Sequence, residues 1–278
     1  MFGSSIVIER QSIGEAWEAL VQECWTDGRV IATEYGEDAR DLSPGIAYII
    51  DPLSEPRIHR AVFAWHKKDS YAKEILKGTE DRRIGKDWHY TYHQRLFEWP
   101  YANSQVADVM HGQTNPCFSM GGSSCLADFI MSGYGGVNQI AYIIDKLKKV
   151  PYSRRAQAVT WQPLIDEWVD GPPCLQRVWC RVASELGSPS KSWLEMHTYW
   201  RSRDLWKAWW LNVWGMVALQ QYIAKKLNVG VGRYVDISSS LHIYERDWES
   251  VEKNFIEIVR TRSYEERFVW PKKKGAKK

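Results

Sequence analysis

Pro172-Pro173-Cys174-Leu175-Gln176-Arg177-Val178-Trp179-Cys180-Arg181-Val182 is the stretch on which the reading of this chain turns. Two consecutive prolines fix the backbone and remove two N–H donors, so they predict a rigid turn that presents the Cys174 side chain. The apolar run at 178–183 reads as a strand of a buried sheet. A lone cysteine beside a strand is usually a small buried hydrophobe, and Cys180 fits that description. Cys174 differs in its company. Arg154-Arg155 lies upstream, and Arg201-Ser202-Arg203-Asp204, Leu211-Asn212-Val213 and His242-Ile243-Tyr244 lie downstream. Guanidiniums with a hydroxyl suit a monoester phosphate held by forked contacts. An amide and a carboxylate suit the polar edge of a flat ring, and a thiol suits attack on that ring.

Working outward, residues 13–24 form a predicted amphipathic helix, with Ile13, Ala16, Leu20 and Val21 on one face and a Ser12/Glu15 capping box. Residues 47–50 are a short strand closed by Asp51-Pro52, and 71–76 a helix ended by Gly78. Residues 137–149 are a helix with Ile140, Ile143, Ile144 and Leu147 on one face. Strands are predicted at 157–161, 234–238 and 241–244. Asp204 is a good N-cap for a long helix through Leu227, and a last helix covers 248–259. Residues 103–136, rich in glycine and serine, read as a loop-rich insertion, and 271–278 as a basic, disordered tail. The fold class is α+β: one domain over 1–270, a mixed β-sheet packed with helices.

The bulk numbers narrow the function. A chain of 278 residues, 44% hydrophobic, can bury one good core or two small ones. A net charge of +3 is too small to argue for nucleic acid or a membrane surface. No apolar segment approaches the roughly 20 residues of a membrane span. The N-terminus lacks the basic and apolar stretches of a secretory leader, and the five cysteines form no metal or disulfide spacing. Free thiols in a reducing cytoplasm are the expectation. His66, His89, His93, His111 and His197 match no metal motif, so no metal is expected. Sixteen tryptophans are the unusual number. Indoles bury large areas and serve a core; some could also wall a pocket for flat ligands, Trp200 and Trp209-Trp210 being best placed.

Together these motifs resemble the folate-dependent thymidylate synthase superfamily. The resemblance runs over 134–248 and rests on Asn138-Gln139-Ile140, Pro151-Tyr152-Ser153-Arg154-Arg155-Ala156, Pro172-Pro173-Cys174, Tyr199-Trp200-Arg201-Ser202-Arg203-Asp204, Leu211-Asn212-Val213 and Leu241-His242-Ile243-Tyr244. Tyr90-Thr91-Tyr92-His93-Gln94-Arg95-Leu96 is a weaker match. Asp51-Pro52-Leu53-Ser54-Glu55-Pro56-Arg57 and Tyr244-Glu245-Arg246-Asp247-Trp248 look most like the archaeal-type branch. The resemblance implies that the Cys174 thiolate adds to C6 of a pyrimidine nucleotide and that C5 then takes one carbon from 5,10-methylenetetrahydrofolate or a related methylene-tetrahydropterin. It implies phosphate contacts from Arg201 and Ser202, with Arg40 standing for the family's mobile N-terminal arginine. Arg154 and Arg155 would come from the neighbouring subunit of a homodimer with shared active sites. Asn212 would read O4 and N3–H of uracil, Asp204 would position the pterin, and His242 and Tyr244 would hold a sugar hydroxyl. Trp200 stands where the family has glutamine and would border the cofactor. The family's proton-relaying glutamate has no clear counterpart: aligning on Gly78 puts Tyr71 at its position and Glu74 one turn later, so Glu74, Asp69 or an acid from elsewhere are the candidates.

The leading expectation is reductive methylation of dUMP to dTMP. Hydroxymethylation of dUMP, dCMP or CMP with the same donor is the near alternative, favoured by Trp200, by the 103–136 insertion and by a C-terminus that ends in lysines rather than a short apolar group. A nucleotide- or RNA-binding regulator on an inactive scaffold is the alternative of another class, and the intact Cys174 speaks against it.

Overall fold

The computed structural model describes residues 4–99, 137–185 and 188–271. The expectations for 103–136 and 272–278 lie outside the described residues.

The run after the Pro-Pro turn is a strand because its side chains alternate. In β7 (Leu175–Glu185) Val178, Cys180 and Val182 are buried, while Arg177 is exposed and Trp179 and Arg181 half-buried on the other face. Its partner β8 (Ser188–Trp200) pairs with it antiparallel and buries Leu194, Met196 and Trp200. The six-stranded sheet has the order β1-β4-β10-β8-β7-β6, with β1 (Ile6–Arg10), β4 (Gly45–Ile49), β10 (Gly230–Ser238) and β6 (Gln157–Val159). It is mixed: β1 and β4 run parallel, as do β10 and β8, and the other neighbours are antiparallel. A four-stranded sheet joins β2 (Arg29–Ala32), β3 (Asp38–Leu42), β11 (Leu241–Tyr244) and β9 (Arg203–Asp204), and β5 (Ile58–His59) pairs with β12 (Phe268–Val269).

The helices pack on one face of the large sheet. α1 (Ile13–Asp27) starts at the expected capping box: the Glu15 N–H donates to Ser12 Oγ at 3.3 Å and the Ser12 N–H to Glu15 Oε2 at 3.1 Å. α2 (Lys68–Lys77) ends at Gly78, whose φ of 59° is the left-handed stop that glycine allows. Beyond α3 (Tyr92–Phe97), α4 (Gln139–Lys149) is capped by Asn138 and buries Ile140, Ile143, Ile144 and Leu147. Asp204 opens the long helix as expected. Its side chain accepts from the Lys207 N–H, a wide turn at Leu205–Trp209 follows, and α5 (Trp210–Leu227) completes it. α5 lies across β8 and β10, flanked by α1, α2 and α4.

Five of the sixteen indoles are buried in this core. Trp17, Trp200 and Trp209 are fully buried, and Trp206 and Trp210 nearly so. Trp17 stacks on Trp206 at 5.5 Å and donates to the Leu205 carbonyl at 3.1 Å. Truncating one such side chain to alanine ordinarily costs about 3–5 kcal/mol, so these indoles anchor the element that carries Asn212.

Candidate active site

The Pro-Pro turn, the C-terminal end of β8, the start of α5 and strand β11 converge on a cavity of about 430 Å³. Its lining includes Cys174, Arg201, Ser202, Asp204, Asn212, His242 and Tyr244. Cys174 stands immediately before β7, where Leu175 pairs with Trp200. Prolines lack N–H groups but keep their carbonyls, and Arg201 uses both: Nη2 donates to Pro172 O at 2.7 Å and Nε to Pro173 O at 3.1 Å. The Arg201 N–H also donates to Cys174 O at 2.9 Å. One guanidinium therefore holds the thiol-bearing turn while lining the same cavity. Cys174 is half-buried, whereas Cys24 and Cys180 are buried and burial pushes both thiols up, Cys24 to about 12. Among the described cysteines, Cys174 is the one with access to solvent.

Two of the groups that share the cavity with the thiol, His242 and Tyr244, are neutral donors and acceptors. His242 is buried, and burial and then the charge of Arg246 hold its imidazole down to about 4. Its Nδ1 lies 3.1 Å from Ser240 Oγ, and its Nε2 has no partner among the described residues. Tyr244 lies edge-on to it, ring centres 4.6 Å apart, and is pushed up to about 12 by burial and by Tyr35 and Asp204. The sequence expectation that both side chains face one site matches this placement. Asp204 pairs in register with His242. Its Oδ1 accepts the Lys207 N–H at 2.9 Å, and burial raises its carboxyl above the usual range.

A second cavity of about 690 Å³ adjoins the first, and Tyr92 lines both. Tyr92 Oη accepts from the Leu175 N–H at 3.4 Å, next to the thiol. Asn212, on the wall of the first cavity, donates through Nδ2 to Tyr71 Oη, on the wall of the second, at 2.7 Å. The larger cavity also holds Glu74. Its Oε2 accepts from Thr79 Oγ1 at 3.0 Å and from the Glu80 N–H at 2.5 Å, and its buried Oε1 has no partner among the described residues. Asp69, the other acid weighed on α2, is 73% exposed and paired with Lys68. Of the two, the structure brings only Glu74 into a cavity.

Several expected residues lie elsewhere. Arg40 does not line the Cys174 cavity. On β3 its neighbour Ala39 faces that cavity, and strand alternation turns Arg40 the other way, between Trp25 and Trp248 at 4.8 and 5.2 Å. Trp200 is fully buried beneath the site. Arg203 lies 3.5 Å over its ring and Tyr92 edge-on at 5.7 Å, so it backs the wall instead of forming it. Arg154 and Arg155 are exposed and line neither cavity; Trp179 Nε1 donates to the Arg154 carbonyl at 3.1 Å. Conversely, Arg203 lines the Cys174 cavity and was given no role by its sequence context. It is 2% exposed, paired with the buried Asp236 at 2.5 Å, and its Nε and Nη1 have no partner among the described residues. Asp236 in turn accepts from Trp209 Nε1 at 2.9 Å. Among the described residues no cluster of three or more His, Cys, Asp or Glu could hold a metal ion, and no helix is long and apolar enough to cross a membrane.

Comparison with known proteins agrees with this arrangement. The family model described as "Thymidylate synthase" matches residues 59–264. Proteins named "Putative thymidylate synthase" from Methanocaldococcus jannaschii and Methanosarcina mazei are each 30% identical to this chain, over 92% and 88% of it and 98% and 93% of their own lengths. One of that name from Methanothermobacter marburgensis is 27% identical over 88% of this chain and 96% of its own length. The family is one of transferases that act on pyrimidine nucleotides, and an accessible thiol in a cavity of about 430 Å³ is consistent with it. The chain belongs to the thymidylate synthase family, in its archaeal-type branch.

Proposed function

We propose that this chain catalyses one-carbon transfer to C5 of a pyrimidine nucleoside monophosphate, by reductive methylation of dUMP to dTMP with 5,10-methylenetetrahydrofolate. The observation that carries this reading is the half-buried Cys174 in one cavity with Arg201, Ser202, Asn212, Asp204, His242 and Tyr244. Arg201 and Ser202 bind the phosphate, and the contacts of Arg201 to the Pro-Pro carbonyls couple phosphate binding to the position of the thiol. Neutral His242 and Tyr244 take the sugar hydroxyl. Asn212 meets the base edge. The Cys174 thiolate then adds to C6: the S–C6 bond forms, and the C5=C6 π electrons move toward C5 and O4, making C5 the nucleophile. After transfer the C5 proton leaves, and the S–C6 bond breaks. Glu74, whose Oε1 is buried without a described partner, accepts and returns protons on that side.

The second cavity suits a reduced pterin. Tyr90 and Trp88 are among its aromatic lining, and Lys67 is a cation there for an acidic tail, while Arg83 is engaged by Glu80, Asp87 and the Trp88 ring. Asp204 takes the N–H edge of the ring from the first cavity. When bound, the pterin supplies the carbon and, for methylation, a hydride. Hydroxymethylation remains a second reading because of one observation. Phe268, in the last apolar group, is fully buried in β12 against His59 and lines neither cavity, so it does not seal the site against water. Incubating dUMP, dCMP, UMP and CMP with methylenetetrahydrofolate and weighing the products separates the two. A methyl group on dUMP is the expected result. A hydroxymethyl product would move the assignment to the alternative, and no product from any of the four would overturn both.

A further inference from the structure

Tyr71 lies on α2 one turn before Glu74, and its surroundings give it a task. Its hydroxyl accepts the Asn212 Nδ2–H at 2.7 Å, and among the described residues no acceptor takes its own proton. Gly215 makes the approach possible: a Cβ there would lie 2.7 Å from Tyr71 Cε1. Asn212 keeps its carbonyl oxygen for another partner. Arg203, nearly wholly buried and with no partner for Nε and Nη1 among the described residues, lines the cavity that Asn212 faces, and its charge acts on the Tyr71 hydroxyl.

We propose that Tyr71 is a base-reading residue: with Asn212 it forms a hydroxyl–amide pair that donates to O4 of a pyrimidine and accepts from N3–H, while the cation of Arg203 favours oxygen over an amino group at C4. The pair alone is reversible, since an amide can turn over and a hydroxyl can accept as well as donate. A neighbouring guanidinium removes the ambiguity, because it repels the partly positive hydrogens of an amino group and attracts a carbonyl oxygen. The same contact serves the chemistry. As the S–C6 bond forms and the C5=C6 electrons shift toward O4, the hydrogen bond from Tyr71 meets a growing negative charge and strengthens. No proton need cross, and burial, which pushes this hydroxyl up to about 12, keeps it a donor.

This inference rests on the Cys174 cavity being the nucleotide site, and the test separates the two. Affinities for dUMP and dCMP are measured by titration calorimetry for the wild type, Tyr71→Phe and Asn212→Ala, together with exchange of the C5 hydrogen of dUMP in D2O without co-substrate, which reports thiolate addition. Melting temperatures check that each variant is folded. The wild type should prefer dUMP. Tyr71→Phe should bind dUMP on the order of tenfold more weakly, the worth of one hydrogen bond. Its affinity for dCMP should be little changed, so that the preference shrinks, and its exchange should slow. Asn212→Ala should shrink the preference as well. A folded Tyr71→Phe that keeps the wild-type preference and exchange rate overturns the role of Tyr71 and leaves the site standing. A wild type that binds neither nucleotide overturns the site, and the role of Tyr71 with it.

Discussion

His242 is 5% exposed, with its imidazole held down to about 4 from an ordinary 6.5 by burial and by Arg246. The unfolded chain takes up this proton near 6.5 and the folded chain only near 4, so between those values the unfolded state carries more protons. Stability must therefore fall as pH drops from 6.5 to about 4, by an amount of order 3 kcal/mol for this one group. Urea unfolding across that range should show a steep acid limb in wild type and a shallower one in His242→Asn; parallel curves would remove His242 as the cause. That His242 and Tyr244 share a strand face was legible from their alternation on one short strand. The burial that sets the His242 charge was not, because it depends on β3 arriving from far in the sequence, with Asp41 opposite His242. Arg40 shows the converse. Its charge and position invited a phosphate contact, but the facing of β3 puts Ala39 at the cavity and Arg40 between two indoles. Arg203 was printed within the most informative motif, yet only the meeting with Asp236 on β10 explains why a guanidinium is buried there.

At the scale of elements, the site depends on how closely α2 and α5 approach. Gly215 allows contact that a single methyl group would block, with Tyr71 Cε1 at 2.7 Å and Ile75 Cγ1 at 3.0 Å from the added carbon. Gly215→Ala should destabilise the fold by about 1–3 kcal/mol, the usual cost of overpacking. It should also weaken dUMP binding by displacing the Tyr71 ring from Asn212. Denaturant unfolding and calorimetry on the same sample measure both, and unchanged dUMP affinity in a destabilised variant would show that the α2–α5 contact does not govern the base pocket. The helices were the legible elements: capping residues and apolar spacing foretold α1, α4 and the long helix opened by Asp204. Strand β8 was not foretold, because Glu195, His197 and Thr198 interrupt its apolar pattern. Two of those polar groups are satisfied by partners distant in sequence, Glu195 by Arg181 at 2.7 Å and Arg233 at 3.2 Å, and Thr198 by Asp236 at 3.2 Å. The last helix, expected over 248–259, is interrupted by a wide turn at Glu252–Ile256, which residue spacing alone does not signal.

At the scale of the molecule, the face of the large sheet away from the helices carries a row in register, Tyr48, Val235, His197 and Trp179. The His197 Nε2 on it is buried with no described partner, and Trp179 ties Arg154 to its edge. We propose that this face joins two copies of the chain and that Arg154 and Arg155 complete the partner's phosphate site, since they reach neither cavity of their own chain. Mixing Arg155→Ala with Cys174→Ala chains should then restore up to about a quarter of wild-type turnover under random pairing, because one of the two sites in each hybrid has both groups intact. No recovery despite demonstrated subunit exchange would contradict shared sites. The order of motifs made the family legible, whereas the pairing of chains depends on a surface that no single motif spells out. The central claim, that the Cys174 thiolate attacks C6 of a pyrimidine nucleotide, is tested most directly by intact-protein mass spectrometry after incubation with 5-fluoro-dUMP and methylenetetrahydrofolate. The account predicts a covalent adduct that peptide mapping places on Cys174 and that Cys174→Ala does not form; a wild-type chain that stays unmodified, or an adduct on any other residue, would contradict it.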